Sequence, residues 1–287
     1  AMYFRVNNSP FAGLEGKFVT SNQIKDRLER EVRTNVAMRV EATDSPDVFK
    51  VSGRGELQMA ILIETMRREG FEFSVSRPEV LFQEIDDVIH EPVEEVVVDV
   101  LTDYSNKVID NLQKRKGIMQ GMSQEGENNR IEFRVPSRGL IGFRGEMLTE
   151  TRGTGIMHQQ FDGYEPYAGE IPGRTRGALI ALEKGDVTGY ALEGVQDRGT
   201  FFVEPGDSVY MGMVVGTNNR SDDMVVNVAK KKALTNHRAS ITADSIKISQ
   251  AKKMSLEECI EFIANDELLE VTPESLRIRK KFLDHNE

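Results

Sequence analysis

The sequence predicts an α+β protein: two tandem βαββαβ modules, then a mostly β, small barrel-like C-terminal domain with a long basic loop and a helix. Three observations carry this. Strand-like runs of period two alternate with helical i, i+3, i+4 spacing. That succession occurs twice, over residues 1–87 and 88–168. From Gly169 to residue 287 the texture changes to short strands cut by Gly-rich turns.

In the first module, Tyr3-Phe4-Arg5-Val6 opens a strand, and Thr20-Ser21 starts a helix whose stripe is Ile24, Leu28 and Val32. Val36, Met38 and Val40, then Phe49 and Val51, alternate around Asp44-Ser45-Pro46-Asp47 as a hairpin. After Gly53-Arg54-Gly55, the residues Met59, Leu62, Ile63 and Met66 mark a second helix, and Phe71, Phe73 and Val75 a last strand. This order is the ferredoxin-like split βαβ unit. It returns after an acidic hinge, 84–91. There residues 93–101 form a strand, 105–116 a helix closed by Gly117, 118–122 with Ile131, Phe133 and Val135 a hairpin, 140–148 a helix and 156–161 a strand. Each module completes its own sheet, so separate cores are expected.

In the third region, strands are expected at 178–182, 187–195, 200–203 and 209–215, joined by turns such as Glu204-Pro205-Gly206-Asp207, which suits a small antiparallel barrel. Ser255-Leu256-Glu257-Glu258 is a capping box that opens a helix ending near Asn265. Leu276 and Ile278, alternating with Arg277 and Arg279, add one more strand.

Composition limits the chemistry. An apolar fraction of 39% with 24 Gly among 287 residues is ordinary for a globular chain. No run approaches a membrane span, and no secretory leader is read at the start; a cytoplasmic monomer is expected. One cysteine, Cys259, and four scattered histidines argue against disulfides and a zinc site. Cys259, on an amphipathic helix, reads as a core thiol. A G-x-x-x-x-G-K-[ST] phosphate loop is missing: Gly13-Leu14-Glu15-Gly16-Lys17 has the wrong spacing, so no nucleotide cofactor is expected on these residues.

Charge is uneven. The total is −10, yet residues 224–255 hold seven Lys or Arg against one acid, a local +6 that leaves −16 on the remainder. A phosphate docked there would feel mainly the local charge. Lys230, Lys231, Lys232, Asn236, His237 and Arg238 combine point charges, amide donors and a planar guanidinium, as RNA contacts need. The acidic segment 257–274, with seven acids and no base, offers an internal partner instead. Arg138, Arg144 and Arg152 in the second module, with Lys114, Arg115 and Lys116 at the end of its first helix, form a secondary candidate RNA face, set against a reading in which they are solvated.

Particular motifs bring a family into view. Val51-Ser52-Gly53-Arg54-Gly55-Glu56-Leu57, with Ser76-Arg77-Pro78-Glu79-Val80, resembles the third domain of translational GTPases such as elongation factor G. Leu112-Gln113-Lys114-Arg115-Lys116-Gly117 and Pro136-Ser137-Arg138-Gly139-Leu140-Ile141-Gly142 resemble the fifth. Gln196-Asp197-Arg198-Gly199, Leu234-Thr235-Asn236-His237-Arg238-Ala239 and the stretch from Glu270 to Lys280 resemble the C-terminal domain of the TypA/BipA family. The resemblance implies the C-terminal half of a bacterial ribosome-associated GTPase linked to large-subunit assembly and stress adaptation, with GTP and Mg in an N-terminal half outside this chain and Ala1 a cloning scar. It further implies partners in large-subunit RNA, the stalk base and the acceptor end of the aminoacyl-site tRNA. Two other classes fit tandem modules of this kind: a metabolite-sensing regulator, revealed by ligand-dependent dimerisation, and, less well, an acyl-phosphate hydrolase.

Overall fold

The computed structural model describes residues 1–171, 173–231 and 248–284. It is a mixed α+β structure with several antiparallel sheets. The first unit runs β1 (Met2–Arg5), α1 (Ser21–Thr34), β2 (Arg39–Ala42), β3 (Val48–Ser52), α2 (Glu56–Arg68) and β4 (Phe73–Val75). Its strands lie antiparallel in the order β4-β1-β3-β2. Thr20 and Gln23 close a reciprocal capping box on α1, and Ile24 and Leu28 are buried beneath it.

The second unit comprises β5 (Gln83–Ile85), β6 (Val88–Leu101), α3 (Thr102–Lys114), β7 (Ile118–Glu125), β8 (Asn128–Pro136), α4 (Phe143–Glu150) and β9 (Ile156–Pro166). Its main strands are antiparallel in the order β9-β6-β8-β7. Two local features differ from expectation. The acidic hinge is a tight β5–β6 hairpin whose turn residues Asp86 and Asp87 both adopt positive φ, 52° and 60°; aspartate tolerates that region better than most side chains. The helix expected over 140–148 is broken: a 3-10 turn, Ser137–Leu140, is followed by Gly142 at φ 78° before α4 begins.

The third region departs further. It contains β10 (Ala178–Ala181), β11 (Gly185–Asp186), α5 (Gly189–Val195), β12 (Gly199–Phe201), β13 (Ser208–Val209), β14 (Val214–Asn218), β15 (Met224–Val226), α6 (Leu256–Phe262), β16 (Glu267–Val271) and β17 (Leu276–Lys280). No barrel closes among the described residues. A four-stranded sheet, β12-β14-β10-β15, stays open, with β10 and β15 parallel, and β11 pairs only β13. The strand expected at 187–195 is largely α5, because the Thr188 hydroxyl accepts from the Ala191 amide and caps a helical turn that buries Ala191 and Leu192.

The last hairpin joins the first unit. β16 pairs antiparallel with β4, extending that sheet to six strands in the order β17-β16-β4-β1-β3-β2. One core therefore holds Ile24, Met66 and Phe73 together with Ile180, Cys259 and Leu269. A second core under the small sheet takes Phe11 from the first unit's loop. The second unit keeps a core of its own around Val96, Leu112, Phe133 and Phe143.

Candidate nucleic-acid interface

The basic stretch leaves the small sheet after β15 and returns to the same platform. On the way out, the Thr188 amide donates to the Val228 carbonyl at 3.0 Å, and the Thr188 hydroxyl donates to the Lys230 carbonyl at 2.6 Å. On return, Ile248 packs on the core of the small sheet beside Gly189, and the Lys252 amide donates to the Phe201 carbonyl at 2.8 Å. The described residues on either side of the basic stretch are thus fastened beside α5 and at β12. Lys230 and Lys231 stand exposed at the first foot. Lys232, Asn236, His237 and Arg238 lie outside the described residues.

Among the described residues, the neighbouring acidic segment pairs with the basic stretch at one lysine. Glu258 pairs with Lys252 at 3.1 Å, but Glu267 serves Arg174 and Lys280, Asp266 serves Lys280, and Glu270 serves Arg277. Lys253 pairs with Glu204 instead, at 3.5 Å.

The secondary candidates divide into two kinds. Arg115 points inward: it donates to the Gly139 and Ile141 carbonyls at 2.8 and 3.1 Å, to Asn111 at 2.9 Å and to Glu146, and it lies over the Phe143 ring. It holds together the chain on both sides of the break before α4. Arg138 clamps both oxygens of Glu91, whose side chain is 1% exposed, and stacks on Tyr167 at 4.5 Å. Lys116 and Arg144 are exposed, and among the described residues their side chains make only a long contact, from Arg144 to the Met157 carbonyl. Lys116 takes positive φ, 65°, where the helix ends, while Gly117 follows it with no room for a Cβ, which would sit 2.7 Å from the Leu112 carbonyl.

Other chemistry is sparse. Burial pushes the Cys259 thiol up to about 12, so it is a protonated core group. Among the described residues, no group of His, Cys, Asp or Glu is placed to hold a metal ion, and no helix is long and apolar enough to cross a membrane.

Comparison with known sequences decides the family. Residues 176–285 match the TypA/BipA C-terminal domain and residues 88–175 the elongation factor G C-terminus. The chain belongs to the TypA/BipA family. The protein called large ribosomal subunit assembly factor BipA in Bacillus subtilis is 51% identical over 288 residues, covering 100% of this chain and 47% of that protein. Its namesakes in Synechocystis and Haemophilus influenzae are each 50% identical, over 97% and 100% of this chain and 47% of theirs. The chain spans about half the length of these TypA/BipA relatives, matching their C-terminal part.

Proposed function

We propose that this chain is the ribosome-contacting portion of a BipA-type factor acting in large-subunit assembly and translation. One observation carries the reading: similarity near 50% runs across the whole chain to proteins named for that role. Both α/β units are read as ferredoxin-like modules on their strand orders, the first belonging with residues 1–87, the second with 88–168, and residues 169–287 forming the family's special domain. The loop bearing Lys230, Lys231, Lys232, Asn236, His237 and Arg238 engages ribosomal RNA or the tRNA acceptor end, with Lys116 and Arg144 as outlying contacts. Arg115 and Arg138 contribute by holding that surface in shape. GTP and Mg belong to the other half of the longer protein, which works in the cytoplasm. The acidic remainder of the chain discourages non-specific RNA binding while one loop enters a shaped site.

The test is pelleting with large subunits at several salt concentrations. Lys230→Ala, Lys231→Ala and Lys232→Ala combined should weaken binding and reduce the log–log salt slope by about one for each phosphate no longer neutralised. Arg238→Lys keeps charge but loses the guanidinium fork, so a deficit there marks bidentate or stacked recognition. Unchanged affinity and slope in the triple variant would show that the loop does not carry binding.

A further inference from the structure

A second cationic site lies away from the loop. Arg77, two residues beyond β4, the segment 173–177, the turn 221–223 and residues 264–266 line an open cleft of about 560 Å³. The Arg77 side chain is partly buried. Among the described residues its guanidinium makes no hydrogen bond, ion pair or ring contact. The charges that act on it are Arg174 and Arg115, both positive. Burial, with those two neighbours adding to it, lowers its pKa. A partly desolvated guanidinium with no carboxylate paired to it among the described residues leaves its counter-charge to be supplied from elsewhere.

The acids nearby do not supply it. Asp223 accepts from the Ala178 amide at 2.6 Å and pairs with Lys280 at 2.5 Å; Glu267 takes a two-oxygen contact from Arg174; Asp266 takes Lys280 at 2.7 Å. Arg176, exposed on the same lining, has no side-chain partner among the described residues. The wall is built closely: the Gly177 amide donates to the Arg220 carbonyl, and a Cβ on Gly177 would lie 2.0 Å from the Asp222 carbonyl oxygen. At Gly173, on the same lining, a side chain would project into open space.

We infer that this cleft is a phosphate site, in which Arg77 from the first unit and Arg176 from the family-specific region together receive one phosphoryl group. A forked guanidinium suits two oxygens along one edge of a tetrahedral phosphate, and two guanidinium groups on one lining suit its several oxygens. Its source is either a backbone phosphate of RNA, which rests on the ribosome-contact reading above, or a free phosphate compound, which does not. Asp222 on the rim opposes the anion and so provides a control of opposite sign.

The experiment titrates inorganic diphosphate into the whole chain at constant ionic strength and follows binding by calorimetry. Arg77→Gln and Arg176→Gln should each weaken binding tenfold or more, and Asp222→Asn should tighten it. Without ligand, Arg77→Gln should melt no lower than wild type; if it does melt early, the exposed Arg176→Gln carries the test. Diphosphate binding equally to wild type and Arg176→Gln, or not binding wild type at all with an unchanged RNA salt slope in Arg77→Gln, overturns the site. A salt slope for large-subunit RNA reduced by about one in Arg77→Gln identifies RNA as the source. An unchanged slope with diphosphate binding intact identifies a free phosphate compound, whether or not the chain binds ribosomes.

Discussion

Arg277 and Glu270 are direct cross-strand partners in the terminal hairpin, joined by two hydrogen bonds of 3.1 and 3.2 Å, with Glu270 wholly buried. Around them the chain closes on itself. Glu270 also accepts from Asn7 and Ser9 of the first unit at 2.8 and 2.7 Å and from the Tyr210 hydroxyl of the small sheet at 2.8 Å. Arg277 reaches Glu15 at 2.8 Å. Burial alone would raise the Glu270 pKa, but the Arg277 contacts, with the hydrogen bonds from Ser9 and Asn7, together hold it below its ordinary value. Removing one member of a buried pair strands the other charge, so Arg277→Ala should cost about 3–5 kcal/mol of stability in urea melts. Tyr210→Phe removes one hydrogen bond of several and should cost about 1–2 kcal/mol. A cost for Arg277→Ala of less than about 1 kcal/mol would show that the network adds little to folding.

The shared sheet makes the units unequal. A fragment of residues 1–87 loses β16 from the edge of β4, and with it Cys259, Ile260, Leu269 and Ile278 from its core. A fragment of residues 88–168 keeps its whole hydrophobic cluster. The second fragment should therefore melt cooperatively and the first should not, as read by circular dichroism during heating. A cooperative melt of residues 1–87 would show that its four strands suffice alone.

Much of the first two units was legible because their strands and helices bury one face each, so the apolar period reports structure directly. Met59, Leu62, Ile63 and Met66 are all buried on α2 as their spacing implies. The sequence signal failed where polar residues are buried. β16 reads Glu-Leu-Leu-Glu-Val without alternation, yet every residue in it is buried, its two glutamates paired with Arg277 and Lys280 across the hairpin and with Arg174, 93 residues away from Glu267. No local pattern marks such partners. Likewise α5 is short enough that its cap, not its periodicity, decides it. The inward roles of Arg115 and Arg138 were hidden for the same reason: their partners, Gly139 and Glu91 among them, are 24 and 47 residues away. Arg77 was visible as part of a motif, but that it has no partner among the described residues is a property of the fold.

Acid strength at the junction of the units gives a pH prediction. Glu261 of α6 packs against the backbone of Gly142 and Gly145, where added Cβ atoms would approach its side chain to 2.4 and 2.9 Å. Burial, then Glu56, push its carboxyl up to about 7; Glu146 and Glu258 add to this and Arg115 opposes it. Burial also raises the Glu56 pKa, which Glu257 reinforces, while the Gly142 amide, donating at 3.2 Å, and Arg115 pull the other way. A carboxyl whose folded pKa exceeds its unfolded value of 4.5 binds more protons in the native state between those pH values. Stability from this group should thus fall as pH rises from about 4.5 to 7 and level off above. Glu261→Gln should be neutral at pH 5 and stabilising at pH 8 by roughly 1 kcal/mol, a figure discounted for solvent screening of a partly exposed group. An equal effect of the substitution at both pH values in urea melts would refute this.

The last prediction separates shape from contact in the second unit. Arg138 and Arg144 are both candidate RNA ligands by sequence, but Arg138 is held by Glu91, Tyr167 and the Gly169 carbonyl, whereas Arg144 is exposed. The amide of Ala168 also donates to Glu91, at 2.7 Å, so Glu91 ties the segment after β9 to the start of β6. Arg138→Ala leaves that buried carboxylate without its cation and should cost about 3 kcal/mol or more. Arg144→Ala removes an exposed side chain and should change stability by less than about 0.5 kcal/mol. If the two act in RNA binding as their settings imply, Arg144→Ala lowers the salt slope without moving the melt. Arg138→Ala moves the melt, and Glu91→Gln, which neutralises the carboxylate while keeping its shape, should restore part of the stability in the double variant. An Arg138→Ala protein with wild-type stability and a reduced salt slope would place Arg138 among the RNA contacts instead.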